Sequence, residues 1–333
     1  MLTENTSITS PQSGLESCAE LLVAIPAFNE AATIAEVIAT IPKQIPGLDA
    51  VHILVVDDGS TDETARLAEQ AGARVTRHSH NKGLGTAIKT AVDYAVTAHY
   101  HLLVIMDADL QFNPQDIPTL VRPVLSGEAD MVTASRFMNG QHPEQIPKIK
   151  LWGNRMMSRL VSFLVRERYR DVSCGFRCYS REALLRLNLH GRFNNSQEIF
   201  IDLLSKQMRI VEIPVTVRYF PDRRSRVAGS IFRYAVNASN IIFRCYRDYF
   251  PLRFFWGISL VFLLPALILA AIFWGHFFVT GKFSGYLFAG FGGGFLLIMA
   301  LIFFIIGLVA DMLARIRVNQ ERILYILKKG KMP

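Results

Sequence analysis

Two stretches of this chain are almost free of charge, and they limit its fold more than anything else in it. Phe254 to Val279 holds no acidic or basic residue apart from His276, and Phe283 to Ala310 holds none. Each exceeds the roughly 20 apolar residues that cross a bilayer as a helix. Inside lipid the backbone must satisfy its own hydrogen bonds, which a helix does alone. The pair therefore predicts two membrane spans. Core helices of a soluble protein are the competing reading, but two of them seldom lack charge altogether. The connection, Thr280-Gly281-Lys282 or little more, is short enough to make the spans a hairpin.

Both flanks of that hairpin are basic. Arg223, Arg224, Arg226, Arg233, Arg244, Arg247 and Arg253 precede it, and Arg315, Arg317, Arg322, Lys328, Lys329 and Lys331 follow, whereas only Lys282 sits in the turn. Lys and Arg concentrate on the cytoplasmic side of membrane proteins, which places both termini in the cytoplasm. The same arginines account for much of the net charge of +8. Anionic lipid headgroups, not nucleic acid, are the partner this implies. Cys18, Cys174, Cys178 and Cys245 show no CxxC pair and no zinc-ligand spacing, so they read as free thiols of a reducing compartment. Residues 1–20 are polar and read as a flexible tail, without the apolar core of a signal peptide.

From Leu21 onward the pattern alternates between strand and helix. Leu21 to Ile25, Val51 to Val56, Arg74 to Arg77, Leu102 to Met106 and Met131 to Ala134 read as strands. Ala31 to Ile41, Thr61 to Ala71, Thr86 to Val96 and Pro114 to Leu125 read as the helices between them, the second opened by capping residues among Thr61-Asp62-Glu63-Thr64. Such alternation predicts an α/β fold, a mostly parallel sheet with helices on both faces. Beyond Arg136 the pattern loosens into helices at Lys150 to Val165, Arg181 to Leu187 and Glu198 to Lys206, and a strand from Ile210 to Tyr219 interrupted at Pro214. Ser230 to Tyr249 is basic and amphipathic, as expected of a helix lying on the headgroups. The domain boundaries that follow are 21–229 for the α/β part, 230–252 for the interfacial helix region, 253–311 for the two spans and 312–333 for a basic C-terminal helix or tail.

Chemistry gathers just past the ends of the strands. Asp57-Asp58-Gly59-Ser60-Thr61-Asp62 follows one apolar run and Asp107-Ala108-Asp109 another. Open α/β sheets bind ligands at the carboxyl ends of their strands, where a carboxylate accepts hydrogen bonds from base N–H or ribose hydroxyls. Ser60 and Asp62 are positioned to cap the next helix, and the whole string also reads as a turn with an N-cap. Asp107 and Asp109 offer the hard oxygens that Mg²⁺ or Mn²⁺ prefers. Asn81-Lys82-Gly83-Leu84-Gly85 sets glycines and a cation before a helix N-terminus, which suits close approach to a nucleotide. The spacing is not that of a P-loop.

These motifs, together with Ile25-Pro26-Ala27-Phe28-Asn29-Glu30, Asp107 to Gln111 and Ser135-Arg136-Phe137, stand in the order of the family 2 inverting glycosyltransferases. The chain most resembles the dolichyl-phosphate mannose synthase and polyprenyl-phosphate hexose synthase branch, from about Leu21 to Ser230. The resemblance implies a GT-A (Rossmann-like) fold, followed by interfacial helices and a two-helix transmembrane hairpin. It further implies that Pro26, Ala27, Glu30, Asp57, Asp58, Lys82 and Asp107 bind the nucleotide, and that Asp107, Asp109 and Gln111 face a divalent cation and the diphosphate. Arg136, Lys150 and Asn154 would hold the acceptor phosphate, with Ser225 and Arg226 on an acceptor loop, and Asp109, Glu198 and Arg136 would be the catalytic set. In this chain the basic residue often found shortly before that loop is missing at Phe220; either Arg223 or Arg224 takes the contact, or the acceptor site differs.

The activity this implies moves one hexose from GDP-mannose or UDP-glucose to a dolichyl or undecaprenyl phosphate, with the enzyme domain on the cytoplasmic face of the inner (plasma) membrane. A phosphate monoester, with a second pKa near ~6, is already ionised and needs no strong general base. The enzyme must instead offset repulsion between two anions, for which Arg136, Lys150, Arg177 and Arg226 are the cations at hand. Two other readings stand beside it: a family 2 enzyme adding sugar to a glycan or glycolipid hydroxyl, and a non-catalytic membrane scaffold. Gly290, Gly292, Gly293 and Gly294 permit close helix contact, so self-association is an expectation.

Overall fold

The computed structural model describes residues 19–138, 148–189, 196–218, 243–244 and 246–330, without the side chains of 148–150, 164 and 196. The N-terminal tail up to residue 18, Cys18, Cys245, most of the amphipathic segment from Ser230, the Arg223 to Arg226 loop and the Lys150 side chain lie outside the described residues.

Seven strands form one sheet in the order β3-β2-β1-β4-β6-β5-β7. They are β1 (Glu20–Ala27), β2 (Ala50–Asp57), β3 (Arg74–Arg77), β4 (Leu102–Ile105), β5 (Met131–Ser135), β6 (Arg177–Ser180) and β7 (Ile210–Pro214). β1 lies parallel to β2 and β4, β2 to β3, and β5 to β7; β6 alone runs antiparallel, between β4 and β5. The alternation of side chains along the strands builds a core on each face. Leu22, Ala24, Leu54, Val56, Leu103 and Ile105 point to one, while Leu21, Val23, Ile25, Val55, Leu102 and Val104 point to the other.

The first core is roofed by α3 (Leu84–Thr97), whose Ala87, Ile88, Ala91, Val92 and Ala95 form one apolar stripe, and by α5 (Lys148–Val165), α6 (Arg181–Arg186) and α7 (Ser196–Ser205). The second is covered by α1 (Ile34–Thr40), α2 (Thr64–Gln70) and α4 (Ile117–Leu125), the last entered through a 3₁₀ turn at Pro114–Asp116. The mostly parallel sheet with helices on both faces is thus as the alternation implies.

Three local expectations need correction. The first strand continues through Pro26 instead of stopping before it. β4 ends opposite Ala24, so beyond that point β1 pairs with β2 alone and the missing proline N–H breaks no ladder. Second, β6 is a strand that the pattern did not reveal: it is only four residues long, opens on a charged Arg177 and ends on Ser180, which leaves no apolar run to mark it. Third, α2 starts at Thr64, later than the capping string suggests. Ser60 is therefore too far from it to cap it, and its Oγ accepts from the Asn29 N–H at 2.9 Å instead.

Two helices are long and apolar enough to cross a membrane, α8 (Pro251–Thr280) and α9 (Leu287–Gly330), and they pack as an antiparallel hairpin. Together they make this a membrane protein. Gly281, at φ 67°, ends α8 in the left-handed conformation that glycine adopts without strain. Small residues let the helices close: a Cβ on Gly290 would sit 2.8 Å from the Phe273 ring, and one on Gly293 would be 3.2 Å from Leu269. Ser259 donates across the pair to the Ala300 carbonyl at 2.8 Å. Gly290 and Gly293 thus serve contact within the hairpin.

The 44 residues of α9 make it about 66 Å long, twice the hydrocarbon thickness. Its second half is helical and runs along the α/β domain. Glu321 meets Lys206 at 3.2 Å, and Lys206 in turn binds the buried Asp202 at 2.8 Å. Tyr249, just before α8, donates to Asp202 at 3.0 Å and lies under the Arg317 guanidinium. Tyr325 donates to Glu182 of α6, and Lys328 donates to the Leu187 carbonyl. The hairpin is fastened beside α6 and α7 by an ion pair and hydrogen bonds, not merely tethered to them.

Candidate active site

The order of strands reverses between β2 and β4, on either side of β1, and the sheet's carboxyl edge there is where such folds bind ligands. Asp57 is the last residue of β2, Pro26 and Ala27 end β1, and Asp107 lies two residues past β4.

Asp57 and Asp58 are buried and held by their own chain. Asp57 accepts from the Ser60 N–H at 2.9 Å, and its other oxygen lies 3.1 Å from Arg77 Nε. Arg77 also donates to the Ser60 carbonyl at 2.7 Å, locking the turn. Asp58 accepts from the backbone N–H groups of Lys82 at 2.9 Å and Gly83 at 2.7 Å, and meets His78 Nδ1 at 2.7 Å. Asp58 thereby clamps the glycine loop at the start of α3. Gly59, at φ 77°, is obligatory in this turn, since a Cβ there would sit 2.5 Å from the His80 carbonyl carbon.

The β1–α1 turn is sewn to the same string. Thr61 N–H donates to Asn29 Oδ1 at 2.8 Å, Glu30 N–H to Thr64 Oγ1 at 2.8 Å and Ala31 N–H to Asp62 at 3.2 Å. Asn29 adopts a positive φ of 53°, which asparagine tolerates better than most residues. Thr33 bridges to the second acidic string, donating to the Ala108 carbonyl at 2.7 Å and lying 3.3 Å from Glu30 Oε2. Pro26, Ala27, Glu30, Asp57, Asp58 and Lys82 therefore lie together at the carboxyl ends of β1 and β2.

Asp107 and Asp109 present the opposite situation. Asp109 accepts from the Gln111 N–H at 3.1 Å, which shapes a tight turn with Leu110 at φ 60°. Among the described residues no hydrogen bond reaches the Asp107 carboxylate. Burial, and then the Asp109 charge beside it, push Asp107 up to about 7, against the opposing pull of Arg136. A carboxylate held this way is short of positive charge. A Cβ on Gly175 would lie 3.3 Å from Asp107 Oδ2, so glycine there leaves the carboxylate its room.

Arg136 follows β5 and is held bidentately on the buried Asp171, at 2.6 Å through Nε and 2.8 Å through Nη2. Asp171 is fixed in turn by Glu212 of β7, which accepts from the Arg170 and Asp171 N–H groups at 2.8 to 3.0 Å. Arg136 is a positioned cation close enough to Asp107 to lower its proton affinity. Asn154 is buried on α5 and Glu198 half-buried on α7, two helices that pack together. Arg177, read earlier as a cation at hand, is instead buried under Phe200 and donates to the Val172 carbonyl at 2.9 Å. Lys150 lies on α5, and Ser225 and Arg226 fall outside the described residues.

Sequence reasoning missed Asp171, Gly175, Arg77, His78 and Glu212. For Asp171 a signal existed: it opens Asp171-Val172-Ser173-Cys174-Gly175-Phe176, whose alternating apolar residues mark a buried extended segment where a carboxylate needs a partner. The other four have no local signature, because each acts on a residue distant in sequence.

The donor set at Asp107 and Asp109 fits a hard divalent cation: two oxygen-bearing side chains, one of them short of counter-charge. Among the described residues no cluster of three or more metal-ligating side chains occurs, so phosphate and water oxygens would complete the shell.

Residues 22–187 match the family described as glycosyl transferase family 2. A polyprenol monophosphomannose synthase from Mycolicibacterium smegmatis is 30% identical over 65% of this chain and 83% of its own. A dolichol-phosphate mannosyltransferase from Pyrococcus furiosus is 31% identical over 64% of this chain and 60% of its own. Among solved structures, glucosyl-3-phosphoglycerate synthase from Mycobacterium tuberculosis in complex with Mn²⁺, uridine-diphosphate-glucose and phosphoglyceric acid superposes with a TM-score of 0.51. It is 25% identical, over 68% of this chain and 80% of that one.

Proposed function

We propose, from the premise that this chain belongs to glycosyl transferase family 2, that it moves one hexose from a nucleotide sugar to a polyprenyl phosphate, with inversion. The observation that carries this reading is the fastening of α9 beside α6 and α7 by the Glu321–Lys206 ion pair and the Tyr325–Glu182 hydrogen bond. A transferase domain bolted to a membrane hairpin is placed to take its acceptor from the bilayer. The names of the two relatives, which act on polyprenol and dolichol phosphate, support the same acceptor class. GDP-mannose and UDP-glucose are the donors proposed, mannose being favoured by those names.

Pro26, Ala27, Glu30, Asp57, Asp58 and Lys82 frame the nucleotide, Asp58 by holding the Lys82–Gly83 loop in place. Asp107 and Asp109, with Gln111 beside them, would hold Mg²⁺ or Mn²⁺, which when bound supplies the counter-charge for the departing nucleoside diphosphate. Arg136, with Lys150, Asn154, Ser225 and Arg226, orients the acceptor phosphate. One of its ionised oxygens attacks the anomeric carbon from the face opposite the leaving group, so configuration inverts in a single displacement. Glu198 lies on the sugar side. The basic flanks of the hairpin support an orientation with the domain and both termini on the cytoplasmic side of the inner (plasma) membrane.

The test supplies purified protein with undecaprenyl phosphate and labelled GDP-mannose or UDP-glucose, with and without Mn²⁺. Metal-dependent transfer to the lipid phosphate is expected. Transfer only to a sugar hydroxyl would overturn the acceptor assignment, and no transfer from any nucleotide sugar would favour a scaffold.

A further inference from the structure

A cavity of about 1220 Å³ opens where the α/β domain meets the base of α8. Its walls come from the end of α5, the loop 166–170, β7, and Tyr246, Phe250 and Arg253 at the foot of the hairpin. The loop reads Arg166-Glu167-Arg168-Tyr169-Arg170, and with Arg159 and Arg253 it gives the cavity five arginines. Two acids share the lining, and both are engaged elsewhere. Glu167 accepts from the Tyr169 hydroxyl at 2.6 Å, and Glu212 accepts from backbone N–H groups. Among the described residues none of the five arginines has an ion pair.

The loop is built to stay there. Tyr169 is buried, edge-on to Phe200, and its N–H and carbonyl both bond the Ser162 hydroxyl. Arg166 takes a positive φ of 60°, which turns the chain sharply off α5. Five guanidiniums gathered around one concave surface repel one another, and an arrangement fixed by packing calls for an anion from outside.

Its position identifies the anion. Arg253 lies in the first turn of α8, immediately before the uncharged span, at the level of the headgroups. Phe163 and Phe250 line the same cavity, and Phe163 is 79% exposed. Along the same side of α5, Met156 and Trp152 are exposed at the i−7 and i−11 positions from Phe163, Trp152 by 62%. An apolar stripe set among arginines is the pattern of an element resting on a membrane surface. We infer that this cavity binds the phosphate headgroup of an anionic bilayer phospholipid, and that the exposed stripe of α5 rests on the bilayer beside it. This site is separate from the crevice at the strand ends, and it uses none of the residues assigned to donor or acceptor there.

The test measures lipid binding, not sugar transfer, so its outcome is independent of the proposed reaction. Full-length protein in a neutral detergent is titrated calorimetrically with dioctanoyl-phosphatidylglycerol, dioctanoyl-phosphatidylcholine or inorganic phosphate. Saturable binding of the phosphatidylglycerol is expected, weakened at least tenfold by Arg159→Glu with Arg168→Glu. A charge-matched control, Lys43→Glu after α1 with Arg122→Glu on α4, should leave binding unchanged. Equal binding of phosphatidylcholine, tighter binding of free phosphate than of the lipid, or an equal loss in the control would each overturn the assignment. Because the altered arginines are exposed, thermal unfolding of both doubles should match the parent; an unfolded pair is replaced by Arg159→Gln with Arg168→Gln, for which the same loss is expected.

Discussion

Two pairs of aspartates stand at the same edge of the same sheet and do different work. Asp57 and Asp58 are held by Ser60, Arg77, His78, Lys82 and Gly83. Their negative charge is used to fold the loops that border the crevice. No hydrogen bond among the described residues reaches the Asp107 carboxylate, and burial with the Asp109 charge beside it lifts Asp107 to about 7. Their charge is left for something that arrives from outside. One pair serves the fold and the other is the pair proposed for the cation, although both read as strand-terminal acids.

The sharpest way to break this contrast is Asp109→Ala. If the second pair serves a cation, transfer should fall about a thousandfold, some 4 kcal/mol of barrier, while thermal unfolding barely moves. An active variant would end the cation assignment. Asp58→Ala should do the reverse. Two backbone N–H groups and His78 lose their acceptor, so chemical denaturation should show a loss of about 3 kcal/mol, with Mn²⁺ affinity unchanged. Were Asp58→Ala as stable as the parent, the loop clamp would be wrong.

Gly59→Ala tests the same loop through the backbone. A Cβ at 2.5 Å from His80 and a φ of 77° together predict a loss of about 2 kcal/mol in the same denaturation experiment.

A dependence on pH tests the second pair directly. Asp107 is raised from the ordinary 3.8 to about 7, so between those values the folded protein holds a proton that the unfolded chain has released. Without metal, stability should decline as pH rises from about 4 to 7 and level off above, and Asp107→Asn should remove that slope. With metal, Mn²⁺ must displace the proton below pH 7, so its affinity should weaken about tenfold per unit well below that point. Calorimetric Mn²⁺ titrations at pH 6 and pH 8 check this; equal affinities would contradict a proton held on Asp107.

Much of this was legible in the chain. Strand-forming runs ending in Asp57 and Asp107 set the sheet and its carboxyl edge, because a period of two with both faces apolar has few other uses. The uncharged runs set the hairpin, because lipid tolerates little else. Where the reading failed, the causes were specific. β6 hid its four residues behind Arg177, and Ser60 lost its cap role to a helix that starts at Thr64.

What the sequence determined by itself is everything that depends on neighbours along the chain: strand and helix periods, the acids at strand ends, the length of the spans. What only the tertiary structure decided is how charges separated by many residues meet. Arg136 binds Asp171, Asp58 clamps the Lys82–Gly83 loop, Lys206 joins Glu321 to Asp202, and the arginines of the loop after α5 converge with Arg253. Electrostatic energy depends on distance and burial, and the folded chain alone sets both.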